Sequence, residues 1–358
     1  MALELPVVWT DAHRLHDPGA EIWIGVRTPA TEIAARADAI RSTLEQVGAA
    51  RVVEAVEHRA DALLAVHSEE LVAYLREAWP EWVAAGLADD PGQDRVVPYV
   101  FRHPGLLGEV GPHEPTVPWA RPGAHCFDTM TLVGPGTWEA ARAAADAALT
   151  AADLVLAGPH AAYACCRPPG HHASRSAYGG SCYLNNAAIA AQRLREQGVS
   201  RVAVLDVDAH HGNGAQSVFW ERGDMLTASV HVDPGAGWFP HFLGFADERG
   251  GGTGESANLN LPLPPGSGDG AWLDAINALV DAARDHGSEA LVVPLGVDAA
   301  EGDPEAPLRV SAAGFRDAGR RLGALGLPTV LVQEGGYDLE TIGSLVLQLL
   351  EGFEEGVP

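Results

Sequence analysis

The sequence predicts an α/β fold in which a central, mainly parallel sheet carries helices on both faces. Three observations predict it. Short apolar runs alternate with stretches of helical length and spacing along most of the 358 residues. Within the runs 201–205, 290–295 and 329–333, residues 202–205, 290–295 and 330–332 are apolar without interruption, as strands buried on both faces are. Polar clusters of Asp, His, Glu, Gly and Tyr stand just beyond these runs, where a parallel sheet presents its ligands.

In chain order, residues 7–9 read as a first strand, followed by Asp11, His13 and His16 in a loop. Residues 31–47 have helical spacing, 51–56 suit a second strand, and 60–79 read as one or two helices interrupted at Val66-His67-Ser68. From 80 to 123 proline and glycine are dense and periodicity is poor, which is too long for an ordinary connection. That excursion is expected to be an entrance lid and a dimer interface. Alternation resumes with an alanine-rich helix at 137–157, a strand at 163–166, a helix at 184–198, a strand at 201–206 and a helix at 215–222. A strand at 226–231, a glycine-rich loop at 233–256, a helix at 272–286, a strand at 290–295, a helix at 312–325, a strand at 329–333 and a helix at 339–354 complete it. With no internal repeat, residues 1–358 read as one domain.

Composition narrows the function. The 48 acidic against 23 basic residues give a formal charge of −25, which excludes nucleic acid as an expected partner, because phosphate binding needs a positive surface. Such a field draws small cations inward, although it also suits any acidic soluble protein. No apolar run approaches a membrane span, and Met1-Ala2-Leu3-Glu4 has no basic signal-peptide start, so a cytoplasmic location is expected. The four cysteines, Cys126, Cys165, Cys166 and Cys182, form no CxxC pair and read as reduced, buried thiols.

Four stretches carry chemistry. Asp206-Val207-Asp208-Ala209-His210-His211-Gly212-Asn213 follows one strand, and Asp298 follows another. Asp208, His210 and Asp298 make a three-ligand metal set that leaves positions open for water and a carbonyl. A lone Asp-x-His is as readily a helix cap and a hydrogen-bonded imidazole; Asp298 at a second strand end tips the balance. In Arg167-Pro168-Pro169-Gly170-His171-His172, a rigid lead-in precedes two histidines. One can move a proton while the other stays charged, with Asp206 and Asn213 available as their partners. Tyr337, after Glu334-Gly335-Gly336, can donate to an oxyanion.

Together these residues resemble the histone deacetylase superfamily, and most closely its bacterial acetylpolyamine amidohydrolases. Further matches are Asp11-Ala12-His13-Arg14-Leu15, Pro135-Gly136-Thr137-Trp138-Glu139-Ala140, Ser229-Val230-His231 and Phe239-Pro240-His241-Phe242-Leu243-Gly244. The resemblance implies an arginase/deacetylase-like three-layer fold, one catalytic zinc and hydrolysis of an N-acetyl amide to acetate and an amine. It assigns zinc to Asp208, His210 and Asp298, proton transfer to His172, electrostatic support to His171, and carbonyl polarisation to Tyr337. It implies a structural potassium at Asp206, Asp208, Ser229 and the carbonyls of His210 and Val230, and a channel lined by Gly180 and Phe239.

The chain departs from the family pattern on the substrate side. Ser181 stands where an aromatic wall is usual. Trp119 replaces an acidic residue, and its indole can still attract an ammonium by about 0.5–2 kcal/mol. Glu305 is acidic at a rim position that is usually apolar, which favours a cationic tail. The implied substrate is an acetylated alkylamine such as an acetylpolyamine; acetyl-lysine peptides and other small N-acyl amides are the alternatives, and a non-catalytic binding module is disfavoured because no ligand, histidine or tyrosine is lost. A two-metal ureohydrolase is excluded at Gly212 and Ala300, where its extra ligands would stand. A homodimer is expected.

Overall fold

The computed structural model describes residues 3–48, 51–89 and 93–358. Its strands are β1 (Val7–Trp9), β2 (Glu21–Trp23), β3 (Val26–Thr28), β4 (Val52–Glu54), β5 (Ala161–Ala164), β6 (Val202–Asp206), β7 (Met225–Val232), β8 (Asn258–Leu263), β9 (Ala290–Leu295) and β10 (Thr329–Gln333). Helices are α1 (Ala35–Gln46), α2 (Asp61–Leu64), α3 (Glu69–Ala84), α4 (Pro104–Leu107), α5 (Pro122–His125), α6 (Thr137–Ala157), α7 (Asn186–Glu196), α8 (Asn213–Phe219), α9 (Asp269–His286), α10 (Ala312–Gly323) and α11 (Ile342–Gly356).

Eight strands form one sheet in the order β4-β1-β5-β10-β9-β6-β7-β8, with every neighbouring pair parallel. β2 and β3 form a separate antiparallel hairpin. Successive residues of a strand face opposite sides. Ala161 and Tyr163 of β5 accordingly enter one core with α1, α9, α10 and α11, while Ala162 and Ala164 enter the other with α3, α6 and α7. Buried alanines along α6, including Ala140, Ala144, Ala148 and Ala151, let that helix lie close against the sheet. The adjacent Cys165 and Cys166 continue the alternation beyond β5 into opposite cores. All four cysteines are buried and unpaired.

The architecture matches the sequence expectation, with local corrections. β5 lies two residues earlier than 163–166, because Ala161 and Ala162 carry a weak apolar signal. Pro80 lies inside α3 rather than opening the excursion. A helical proline costs about 3 kcal/mol; burial of Tyr74, Leu75, Ala78 and Trp82 offsets it, and the Trp82 indole also donates to the Gln93 carbonyl at 2.8 Å. β8 and the β2–β3 hairpin lie in segments to which the sequence assigns no element. β8 is an edge strand, the place where Pro262 is tolerated in a sheet.

Candidate active site

The chemistry-bearing loops all leave the carboxyl ends of four adjacent central strands, β5, β10, β9 and β6. Because these strands are parallel, residues 167–172, 334–337, 296–298 and 206–213 meet along one edge of the sheet. Asp208, His210 and Asp298 bring one ligand atom each to within 4.8 Å of one another. His210 Nδ1 lies 3.0 Å from Asp298 and 3.3 Å from Asp208. Its Nε2 faces the Glu305 carbonyl at 3.2 Å. Donating there holds the Nε2–H tautomer and turns the Nδ1 lone pair toward the two carboxylates, as a metal-binding imidazole requires.

The surrounding backbone is shaped for this cluster. Gly335 N–H donates to Asp208 at 2.7 Å, and Ala209 N–H donates to Asp298 at 2.8 Å. A Cβ at Gly296 would lie 2.0 Å from the Asp208 carboxylate, and one at Gly335 would lie 2.4 Å from Asp298. A Cβ at Gly212 would lie 2.2 Å from Asp206, so the position offers no room for a further ligand side chain. These donors fit one divalent cation with nitrogen and carboxylate preference.

His171 and His172 sit side by side, with ring centroids 4.0 Å apart, but in opposed environments. His171 Nδ1–H donates to Asp206 at 2.9 Å. Burial alone would lower its pKa, yet Asp208 and Asp206 raise it to about 10. His172 Nδ1 meets Asn213 Oδ1 at 2.7 Å, while the Asn213 amide nitrogen donates to the His172 carbonyl, which fixes the amide orientation. Burial, together with the neighbouring His171 charge, pushes His172 well below the usual histidine range. One imidazole is therefore held cationic and the other neutral, with its Nε2 lone pair free.

Residues far away in sequence hold the histidine loop. Glu334 accepts from the Gly170 and His171 N–H groups at 2.6 and 3.1 Å. Arg167 is buried, pairs with Glu32, and donates to the carbonyls of His13 and His16, which ties the first loop of the chain to the site. Arg36 donates to the carbonyls of Glu334 and Gly336 and places its guanidinium 4.4 Å from the centre of the Tyr337 ring. Burial raises the Tyr337 pKa well above its ordinary value, so the hydroxyl stays protonated and able to donate.

Above this floor opens a cavity of about 660 Å³. His172, His210, Tyr337, Gly180, Ser181, Phe239 and Glu305 line it, as do Glu21, Trp23 and Met130. The Phe239 ring packs edge-on against His172, with centroids 4.7 Å apart. Trp119 is not among the lining residues and is 44% exposed. Likewise, none of the described residues from 93 to 123 lines the cavity. Glu21, Arg36 and Trp23 escaped the sequence reading. Glu21 accepts from the Thr31 N–H at 3.2 Å, and burial, together with the nearby Glu305, raises its pKa to about 7. Its only sequence signal was a carboxylate two residues before Trp23 in an aperiodic segment.

On the opposite side of β6, Asp206 is in register with Ser229 of β7. His231 Nε2 lies 2.8 Å from the Gly244 carbonyl, and its Nδ1 lies 2.8 Å from Ser229 Oγ. The first contact makes Nε2 the donor, so Nδ1 accepts the Ser229 proton and leaves the hydroxyl lone pairs directed elsewhere. Asp206 and Ser229 border a small cavity of about 10 Å³.

The histone deacetylase domain model matches residues 30–353. The chain belongs to the histone deacetylase family. It is 40% identical to acetylpolyamine amidohydrolase 1 of Pseudomonas aeruginosa, over 97% of this chain and 98% of that relative. It is 38% identical to the acetylpolyamine amidohydrolase of Mycoplana ramosa, again over 97% and 98% of the two chains. The crystal structure of an acetylpolyamine aminohydrolase from Burkholderia pseudomallei superposes with a TM-score of 0.91 at 37% identity, covering 99% of this chain and 100% of that one. The fold is thus the three-layer deacetylase fold, and the chain is a hydrolase of amides.

Proposed function

We propose that the protein is a zinc-dependent deacetylase of acetylated alkylamines with a cationic tail, the acetylpolyamines, releasing acetate and the free amine. The observation that carries this reading is the pairing of a charged His171–Asp206 with a neutral His172–Asn213 on the floor of a cavity whose wall bears Glu21 and Glu305. The names and near-complete coverage of the relatives support the substrate class.

Asp208, His210 and Asp298 would hold the zinc ion, which when bound supplies Lewis acidity toward an amide carbonyl and makes water more acidic. His172 Nε2 takes the proton of the attacking water and returns it to the leaving nitrogen as the C–N bond breaks. Cationic His171 stabilises the negative charge that develops, and the Tyr337 hydroxyl donates to the carbonyl oxygen as it becomes an oxyanion. Phe239 and Gly180 form opposite walls for the acyl–alkyl stem. Glu21 and Glu305 attract the distal ammonium, which selects a charged over a neutral tail.

Asp206, Asp208, Ser229 and the carbonyls of His210 and Val230 would hold a structural potassium ion; the Ser229 lone pairs, left free by its donation to His231, support this. The enzyme acts as a homodimer through the 80–123 excursion, which exposes Tyr99, Leu106, Val110 and Trp119. Among the described residues no helix is long and apolar enough to cross a membrane. The unpaired thiols support a cytoplasmic location.

Measuring kcat/KM of the zinc-loaded protein on acetylputrescine, an acetyl-lysine peptide and a neutral N-alkylacetamide tests the reading. Acetylputrescine is expected to lead. Equal rates for charged and neutral tails would remove the role of Glu21 and Glu305, a lead for the peptide would move the substrate to acetyl-lysine, and no hydrolysis at all would overturn the deacetylase reading. Sedimentation that finds only monomer at micromolar concentration would overturn the dimer.

A further inference from the structure

One wall of the cavity is a strained turn held from outside. Gly179 and Cys182 exchange both backbone hydrogen bonds, at 3.1 and 3.0 Å, and close a two-residue turn over Gly180 and Ser181. Both central residues have positive φ, 59° and 62°. Turns of this kind favour Gly or Asn, and Ser181 is neither, so the conformation needs support from its surroundings.

The support comes from residues 128–131. The two central N–H groups have no acceptor within the turn. Gly180 N–H donates to Asp128 Oδ2 at 2.6 Å, and Ser181 N–H donates to Thr131 Oγ1 at 2.8 Å. Thr131 Oγ1–H donates in turn to Asp128 Oδ2 at 3.1 Å. Asp128 Oδ1 is itself fixed by the N–H groups of Met130 and Thr131, at 2.9 and 2.8 Å. The direction of each bond is fixed: the carboxylate accepts, and the hydroxyl accepts from the turn while donating to the carboxylate.

The held turn touches the reacting groups. A Cβ on Gly180 would lie 2.4 Å from His172 Cδ2 and 2.9 Å from Phe239, so the Gly180 backbone packs directly on the imidazole and faces the opposite wall. A Cβ on Gly179 would lie 2.2 Å from the Phe127 ring, which stacks with Phe239 at 6.3 Å. A shift of the turn therefore changes both the width of the channel and the seat of His172.

We propose that Asp128 and Thr131 are positioning residues that clamp the Gly180–Ser181 turn in its left-handed conformation and so set the acyl width of the channel. The inference rests on the deacetylase reading of the cavity. Asp128→Asn cannot accept from Gly180 without turning its amide nitrogen onto Met130 and Thr131, and Thr131→Val removes the acceptor for Ser181. Thr131→Ser keeps it.

The test uses the full-length, zinc-loaded protein with the acetyl, propionyl and butyryl amides of putrescine, alongside amide hydrogen exchange at Gly180 and Ser181. Asp128→Asn and Thr131→Val are expected to lower kcat/KM for the acetyl amide about tenfold, the cost of one charge-assisted hydrogen bond. The butyryl-to-acetyl ratio should rise and exchange at both amides should quicken. Thr131→Ser should behave as the unaltered protein, and Ser181→Gly should recover the Asp128→Asn loss, because glycine holds a positive φ unaided. Unchanged acyl selectivity with faster exchange would overturn the proposal, as would a loss that Ser181→Gly fails to recover. If Asp128→Asn does not fold, the Thr131→Val and Thr131→Ser pair decides on the same measurements. If the unaltered protein hydrolyses none of the amides, the deacetylase reading fails instead, and unchanged exchange in Thr131→Val would separately refute the clamp.

Discussion

Replacing Tyr337 by Phe isolates one hydroxyl. The ring is fixed independently of it: Arg36 lies over its face at 4.4 Å, and the Tyr337 N–H donates to Asp303 at 2.8 Å. Gly336 reaches the ring through a backbone at φ 119°, with its carbonyl held by Arg36. Phenylalanine therefore keeps the packing and loses only the donor. Among the described residues no protein group hydrogen-bonds that hydroxyl, so its removal leaves no partner unsatisfied, and stability should move by no more than about 0.5 kcal/mol. A lost oxyanion donor in a preorganised site costs about 2.7–4 kcal/mol of barrier, a fall in kcat of about 10²–10³-fold. The interaction is made as charge develops, so kcat and kcat/KM should fall together while KM holds. Steady-state kinetics on acetylputrescine, with metal content and thermal unfolding measured in parallel, checks this. Activity within about threefold of the unaltered protein, or a KM effect alone, would refute the role.

The other expectations are independent of that hydroxyl. His172→Ala should lower kcat by about 10²–10⁴-fold without loss of bound zinc, read by metal analysis of the purified variant; near-normal turnover would remove His172 as proton carrier. Glu21 ionises through about 7, so KM for a cationic amide should fall as pH rises through that value, whereas Glu21→Gln should flatten the dependence and a neutral N-alkylacetamide should show none. The same raised pKa stabilises the fold below the ordinary carboxylate value of 4.5 and loses that contribution as pH rises through about 7, so Glu21→Gln should also flatten the thermal-unfolding profile there. Potassium should raise the unfolding temperature above that in sodium at equal ionic strength, and Ser229→Ala should abolish the difference.

How much was legible in the chain depends on what each residue does for the fold. Strands β1, β9 and β10 coincide with apolar runs because both faces of a central parallel strand are buried, leaving no polar alternation to blur the signal. Asp208, His210, Asp298 and Tyr337 stand within four residues of the ends of β6, β9 and β10, so the strong signal marks them as well. His171 and His172 lie farther beyond the weakly signalled β5 and were marked by the Pro-Pro-Gly lead-in instead. The partners of the two histidines, Asp206 and Asn213, were legible because they flank the Asp-x-His stretch, whereas the Glu305 carbonyl that orients His210 from 95 residues away needed coordinates.

The substrate side was less legible for the same physical reason. Its walls come from segments without period: the β2–β3 hairpin, the loop around Phe239, and the turn at Gly180. Trp119, matched by resemblance to a substrate-binding position, lies outside the cavity of this chain, while Glu21 enters it from a hairpin to which the sequence assigns no element. Local sequence thus determined the sheet, its helical layers and the reacting groups, because burial imprints a pattern on the residues that undergo it. Tertiary structure alone decided which distant carboxylates line the cavity and which residues brace its wall, because those contacts join segments whose own sequences carry no record of one another.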